Sequence, residues 1–481
     1  MNRFLFASLL PLLLLLSGKG AASSGLNLPD LGDTTSGIVS HQQEYDMGRA
    51  WLRLYRRQVP VYSDPELEVY LEALLTRIAS HSSLYNKDLE LVLVSNPTIN
   101  AFAAPGGIIG IHSGLILMAQ TEGQVASVLS HELAHLSQRH WVRNVEASRQ
   151  STLPNMAGLL AGLVLLATSN SQAGMAAIAT TQAAGLDSQL RFSRQNEQEA
   201  DSIGMQTLVA AGFKPDDMTG MFETLLDAHR FQGKRPPEYL LSHPVTEKRV
   251  ADSRSRARSL PTGALTDNPD YHLMRARVQL HHSESPALAV KRFQSEVNGN
   301  TLHAQASRYG LALAQIKTRQ FKEAETILLD LLKQQPDEST FMLALASLKL
   351  EQGSTNASMI WLHNILLKDP QNFPAKILLA KSYIQQREYP KAEAIYHQLS
   401  QQRPGDPGIW YQLAEVRGLA GNILGVHLAR AEYFLLNGVY DRARTQLEYA
   451  QPLLKDNYVE TERVKQKFLE IDQLESISLK I

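Results

Sequence analysis

The 481-residue chain contains no cysteine. Disulfides are therefore excluded, and so is a lipid carried on an N-terminal cysteine. Any metal site must be built from histidine, aspartate or glutamate. An excess of one charge is also missing. Lysine and arginine number 47 against 48 aspartates and glutamates, a net charge of −1. No global field draws the chain to nucleic acid or to an anionic membrane. There is no P-loop, and the glycine-rich stretch 105–110 precedes an apolar strand instead of a phosphate-binding helix, so no nucleotide site is expected. Long apolar runs are scarce. The N-terminal one, Phe4 to Leu16, is 13 residues long and is interrupted by Ser8 and Pro11, well short of the ~20 that a spanning helix needs.

That short run has a different use. Arg3 precedes it, and Gly20, Ala21 and Ala22 follow it. This is the pattern of a secretory signal peptide over residues 1–22, cleaved near Ala22. Residues 23–39, rich in Gly, Ser and Asp, read as a flexible leader. A first folded region is expected over 40–260. Asp64-Pro65 starts a helix, with the aspartate as cap and the proline in the first turn. Leu67, Leu71, Leu74, Leu75 and Ile78 then repeat at helical spacing. Leu89 to Val94 reads as a strand, and Asn100 to His112 as a strand pair broken at Pro105-Gly-Gly107. Thr121 and Gln124 are spaced as a capping box that opens the next helix.

From 265 to 481 the texture changes to repeats. Prolines stand at 336, 370 and 404, and Leu-Ala pairs at 311, 345, 379 and 413, each 34 residues apart. Phe321-Lys-Glu-Ala324 recurs as Tyr389-Pro-Lys-Ala392, two periods on, and Trp410 lies three residues before Leu413. This resembles the tetratricopeptide repeat. Ser358 stands where the pattern has alanine, the unit at Tyr440 is out of phase, and 270–300 reads as a degenerate repeat. Stacked helix pairs make a concave surface suited to binding proteins.

The chemistry lies in Ser130-His-Glu-Leu-Ala-His135. At about 100° per residue, with His131 at zero, His135 falls near ~40° and Glu132 near ~100°. Leu129, Leu133 and Leu136 fall on the opposite side, between about 140° and 200°. Two imidazoles one turn apart grip one tetrahedral zinc, and the adjacent glutamate is placed as a general base. A third ligand is required. A histidine six residues after the second is ruled out, because Trp141 is there and His140 turns away from the ligand face. Glu197 and Asp201, four residues apart on a later helix, are the alternative: Glu197 to the metal, Asp201 to a ligand histidine. Glu199 points away from their common direction and is the weaker candidate. A purely structural zinc usually takes four protein ligands and leaves Glu132 without a role.

The segments Asn100-Ala-Phe-Ala, Pro105-Gly-Gly, Gly114-Leu, His131 to His135, Ser193-Arg, Glu197 to Asp201, and Ser242-His-Pro244 with Arg249 resemble the HtpX-like and CaaX-prenyl-protease-like zinc endopeptidases. The likeness covers roughly 95–255. It implies a mostly α fold, a gluzincin-type metallopeptidase domain with a small β-sheet, followed here by the tetratricopeptide solenoid. It also implies one zinc on His131, His135 and Glu197, with Glu132 as base and Asp201 in support. An edge strand near Asn100–Ala104 is expected to pair with extended substrate. His243 is expected at the site, either stabilising the oxyanion or acting as a fourth ligand that keeps the enzyme latent, the alternative being a structural histidine at a helix start; Arg249 orients the site or pairs with a carboxylate. The signal peptide and repeats are similar to a periplasmic branch of these proteases. That implies protein substrates among outer-membrane β-barrel proteins, contact with the barrel-assembly machinery through the repeats, and a chaperone-like role beside proteolysis. Membrane relatives have spanning helices between the metal helix and the glutamate helix. Here that interval offers only the apolar run 157–167, read as a core helix, a lid or a contact with a membrane surface.

Overall fold

The computed structural model describes residues 39–147, 186–231, 238–261, 267–299, 301–454 and 457–478. The signal peptide, nearly all of the leader and the apolar run 157–167 lie outside the described residues. Among the described residues no helix is long and apolar enough to cross a membrane.

Helix α1 (His41–Gln58) opens on a reciprocal capping box between Ser40 and Gln43 and buries Trp51, Leu52 and Tyr55. Helix α2 (Pro65–Ser80) starts where Asp64-Pro65 predicts: the aspartate accepts from the N–H groups of Glu66 and Leu67. Its predicted stripe of four leucines and Ile78 is buried.

Strands β1 (Glu90–Val94), β2 (Ala101–Ala104) and β3 (Ile108–His112) form one sheet in the order β1-β3-β2. The β2–β3 hairpin is antiparallel, pairing Ala101 with Ile111 and Ala104 with Ile108. Gly106 and Gly107 turn it, both at φ 78°, a backbone that side chains with a Cβ rarely adopt. Because β2 returns the chain, β1 and β3 run parallel. β3 is central and wholly buried, which accounts for its unbroken apolar run. β2 is left at the edge.

After α3 (Ser113–Met118) comes α4 (Glu122–Ser137), whose residues 122–134 are all buried. The expected capping box forms only in part. Thr121 accepts from the N–H of Gln124, but the Gln124 side chain accepts from Gln120 instead of Thr121. A turn at Arg139, with φ 50°, leads into α5 (His140–Ala147). Helix α6 (Leu186–Ala210) lies along α4. Gly204 permits that approach, since a Cβ there would stand 3.1 Å from the backbone of His131. α7 (Asp216–Phe231), the short α8 (Glu238–Ser242) and α9 (Glu247–Ala257) complete this region.

The repeats form helix pairs: α10 (Pro269–His281) with α11 (Pro286–Asn298), α12 (Ala304–Lys317) with α13 (Phe321–Gln334), α14 (Ser339–Glu351) with α15 (Thr355–Lys368), α16 (Phe373–Gln385) with α17 (Tyr389–Gln402), α18 (Pro407–Leu419) with α19 (Ile423–Leu436), and α20 (Tyr440–Ala450) with α21 (Tyr458–Ser478). The segment read as degenerate, 270–300, is a full pair. Four of these pairs turn on one left-handed residue, Arg319, Gly353, Arg387 and Gly421, again 34 apart. Ser358 is fully buried and its hydroxyl donates to the Ala346 carbonyl at 2.7 Å. A serine is tolerated at the alanine position because its one added group finds an acceptor.

The solenoid returns onto the first region. Arg277 reaches Asp64 and Glu66, His281 and His282 reach Ser95 and Ser113, and Arg403 pairs with Glu72. One apolar cluster runs from Tyr62 through Leu129 to Leu379 without a break.

Candidate metal centre

Helix α4 sets His131 and His135 one turn apart, α6 brings Glu197 across from them, and the residue after α8 brings His243. The four offer ligand atoms that all lie within 4.8 Å of one another. His131 Nε2 is 3.0 Å from His135 Nε2 and 3.3 Å from His243 Nδ1. Glu197 Oε1 stands 3.3 Å from His135 Nε2 and 3.0 Å from His243 Nδ1, and Glu197 Oε2 stands 3.5 Å from His131 Nε2. Three imidazole nitrogens and a carboxylate thus face one point. Such a donor set, N₃O with its lone pairs converging, fits a single zinc ion.

A second layer fixes which nitrogen faces inward. His131 Nδ1 is 3.1 Å from Asp201 Oδ1. Arg249 clamps Asp201 with Nε and Nη2 at 2.8 and 2.7 Å and pairs with Glu197 Oε2 at 3.0 Å. It also donates to the Pro244 carbonyl at 2.7 Å, beside His243. One guanidinium therefore ties together a ligand carboxylate, the carboxylate behind a ligand histidine, and the loop that carries His243. His135 Nδ1 faces His140 Nδ1 at 2.9 Å, and His140 Nε2 faces Glu199 at 3.3 Å. Arg143 holds Glu199 from the other side at 3.0 Å.

The electrostatics follow from burial set against these partners. Burial opposes ionisation of Glu197, but His243, His131 and His135 outweigh it and hold its carboxyl well below the usual range. Burial likewise opposes Asp201, yet His131 and Arg249 bring it down to about 2. His135, desolvated and beside other imidazoles, is pushed down to about 3 despite Glu197, so it stands neutral. Glu132 differs. It is 1% exposed, its Oε1 has no hydrogen-bond partner, and burial raises its pKa against the pull of His243 and His131. Tyr239 hydrogen-bonds to its side chain. His243 Nε2 lies 3.5 Å from Glu132 Oε1.

His243 is held by short links. The Tyr239 N–H donates to the Ile99 carbonyl at 3.1 Å, and the His243 N–H donates to the Tyr239 carbonyl at 2.8 Å. Helix α8 is thereby pinned to the start of the edge strand. A cavity of about 230 Å³ opens here, lined by Phe102, Ala103 and Pro105 on one side and by Glu132, His135 and His243 on the other.

The residues expected at the site, His131, Glu132, His135, Glu197, Asp201, His243 and Arg249, are all brought together. Glu199 is not a ligand; it braces His140. His140 is outside the ligand set, as expected, yet it backs His135, which the helical projection missed. That projection assumed one continuous helix, whereas α4 ends at Ser137 and the chain turns at Arg139. Tyr239 and Arg143 carry no spacing signal that marks them.

Comparison with known proteins agrees with this geometry. Residues 65–257 match the model of peptidase family M48, and 309–371 and 349–416 match tetratricopeptide repeat models. The beta-barrel assembly-enhancing protease of Escherichia coli K12 is 33% identical over 456 residues, covering 94% of this chain and 93% of the relative. A putative beta-barrel assembly-enhancing protease of Vibrio cholerae is 34% identical over 88% of this chain and 87% of its own length. The mitochondrial metalloendopeptidase OMA1 of Schizosaccharomyces pombe is 30% identical over 40% of this chain and 53% of its own length.

Proposed function

The chain belongs to peptidase family M48, the zinc metallopeptidases, with tetratricopeptide repeats behind the peptidase region, and from that premise we propose an exported, periplasmic endopeptidase that promotes assembly of outer-membrane β-barrel proteins and degrades those that stall. The observation that carries the reading is a buried carboxylate, Glu132, beside a converging ligand set at the mouth of a cavity that an edge strand lines. His131, His135 and Glu197 would hold the ion. Bound there, zinc supplies Lewis acidity to a water and to the scissile carbonyl.

The remaining work falls to the chain's own residues. Glu132 accepts the proton of the attacking water and passes it to the leaving amine. A carboxylate desolvated to this degree is more basic than one in water, which suits that role. Asp201, clamped by Arg249, keeps the proton of His131 on Nδ1 and Nε2 bare. The polypeptide lies extended along β2, adding a strand to the sheet edge. Main-chain pairing of this kind tolerates many sequences, as a protease of stalled proteins requires. The solenoid receives partner proteins, the barrel-assembly machinery among them. The names of the Escherichia coli and Vibrio cholerae relatives, similar along nearly the whole chain, support this choice of substrate.

The test is cleavage of an unfolded protein by wild type beside Glu132→Gln, with zinc measured in both. Cleavage by wild type and none by a zinc-loaded variant is expected. Cleavage by the variant sinks the assignment of the base.

A second reading rests on His243. Its Nδ1 stands among the ligand atoms, where it would close the position that a water needs. In this conformer the enzyme is latent, and the repeats act as an assembly scaffold until His243 withdraws. His243→Ala then raises proteolysis. A fall instead assigns His243 to the oxyanion.

A further inference from the structure

We propose a second divalent-metal site, formed by Asp267, His272 and His303 at the seam where the chain enters the solenoid. These three offer ligand atoms within 4.8 Å of one another. They come from three segments: Asp267 just before the cap of α10, His272 in the first turn of α10, and His303 at the start of α12. His272 is 4% exposed and its Nε2 lies 2.5 Å from Asp267 Oδ2. The His272 and His303 rings stack with centroids 3.4 Å apart and planes 15° from parallel.

His303 is the informative member. It occupies a helix N-cap, a position that favours Ser, Thr, Asp or Asn because their side chains accept from the first free N–H groups. Its side chain makes no cap bond. Among the described residues its ring makes no hydrogen bond at all, only the stack on His272. Two histidines and a carboxylate with an exposed side form the usual open set for zinc, water completing the shell. Arg275, near the site, donates to the Leu117 carbonyl at 2.9 Å. Ligands of a tetrahedral ion at ~2.0–2.1 Å stand roughly 3.4 Å apart, so the Asp267–His272 contact opens by under about 1 Å on binding. His303, with no hydrogen bond to break, is the ring free to swing.

The ion would act as a clasp. It joins the end of the linker to the first and second helix pairs, adding to the contacts of Arg277 with Tyr309 and of Ser307 with Glu296. This role requires nothing of the peptidase site, and its test is independent of proteolysis.

The experiment uses the full chain with His131→Ala and His135→Ala, which removes the first site. It is titrated with Co²⁺ and with Zn²⁺. One equivalent of Co²⁺ with visible d–d absorption is expected, and its loss on adding His303→Ala. Asp267→Asn, which keeps the shape, is expected to weaken binding at least about 10-fold. Zinc is also expected to slow amide exchange at 268–275 and 304–308 in the parent and not in the His303→Ala chain. A parent chain that takes up no metal, or a His303→Ala chain that binds as tightly and shows the same protection, overturns the proposal. Circular dichroism of each variant separates these outcomes from misfolding.

Discussion

Among the described residues, two buried ionic clusters differ in construction. At the seam between α2 and the solenoid, Arg277 gives its Nε to both oxygens of Asp64, at 3.1 and 2.9 Å, and its Nη1 to Glu66 at 2.8 Å and to the Tyr309 hydroxyl at 2.7 Å. Here donors meet acceptors, although Glu66 Oε2 is buried without a hydrogen bond. At the metal centre, nitrogens face nitrogens at 3.0 and 3.3 Å, and Glu132 Oε1 is left without a hydrogen bond. The seam joins opposite charges directly. The metal centre sets like groups facing one another, an arrangement that an ion between them resolves.

Four changes probe that contrast, in order of expected effect. Glu132→Gln removes a group that has no structural partner at Oε1. Turnover should fall by about 10²–10⁴-fold or more, while thermal stability and zinc content stay near wild type; a large loss of stability would make Glu132 part of the fold. Arg277→Leu does the reverse. It strands Asp64 and Glu66 and should cost roughly 3–5 kcal/mol in urea unfolding. Adding Asp64→Asn and Glu66→Gln should recover most of that, since no buried charge then remains and asparagine still caps α2. If the triple variant is no better than the single one, matched charge is not what holds the seam.

Asp201→Asn falls between the two clusters, because Asp201 is paired like a structural group yet stands behind a ligand. Zinc affinity should drop by about 10–100-fold in a chelator competition. Unchanged affinity would place Asp201 with the structural set. The smallest effect is expected at Glu68, in the same seam as Arg403. Burial, together with Asp406, pushes its carboxyl up to about 8 from an ordinary 4.5. The unfolded chain thus releases this proton near pH 4.5 and the folded chain near pH 8. Its stabilising contribution is whole below pH 4.5 and is lost as pH rises to about 8. Glu68→Gln should therefore match wild type at pH 4.5 and exceed it at pH 9, by on the order of 1–3 kcal/mol after allowing for water at a seam. Parallel stability curves from pH 4.5 to 9 would contradict this.

Legibility in the sequence divides along physical lines. Asp64-Pro65, the stripe of α2, the Pro105-Gly-Gly107 turn and the spacing of His131 and His135 were readable because each is a relation among residues within about two turns or one hairpin. The repeats were readable because a fixed period forces equivalent positions to do equivalent work. The left-handed turn residues at 319, 353, 387 and 421 extend that logic to backbone. The support that His140 and Glu199 give behind His135 was not readable because the helix carrying His135 stops two residues later, and a projection cannot see its own end. The return of the solenoid was not readable at all: Arg403 meets Glu72 across 331 positions, and no local pattern marks either.

What the sequence by itself determined is therefore the local grammar: the helices, the hairpin, the period of 34, and the pair of imidazoles with a carboxylate beside them. Glu197, Asp201, His243 and Arg249 were legible as candidates from their motifs and from the family resemblance, but only tertiary structure brings them onto the two imidazoles. Glu197 and His243 stand 46 positions apart, and Arg249 reaches Asp201 across 48. They converge because Gly204 lets α6 close on His131 and because one hydrogen bond pins α8 to the edge of the sheet. Helical periodicity fixes the direction of a side chain relative to its own axis. Where that axis passes its neighbour is set by packing, and a metal centre is a property of the crossing.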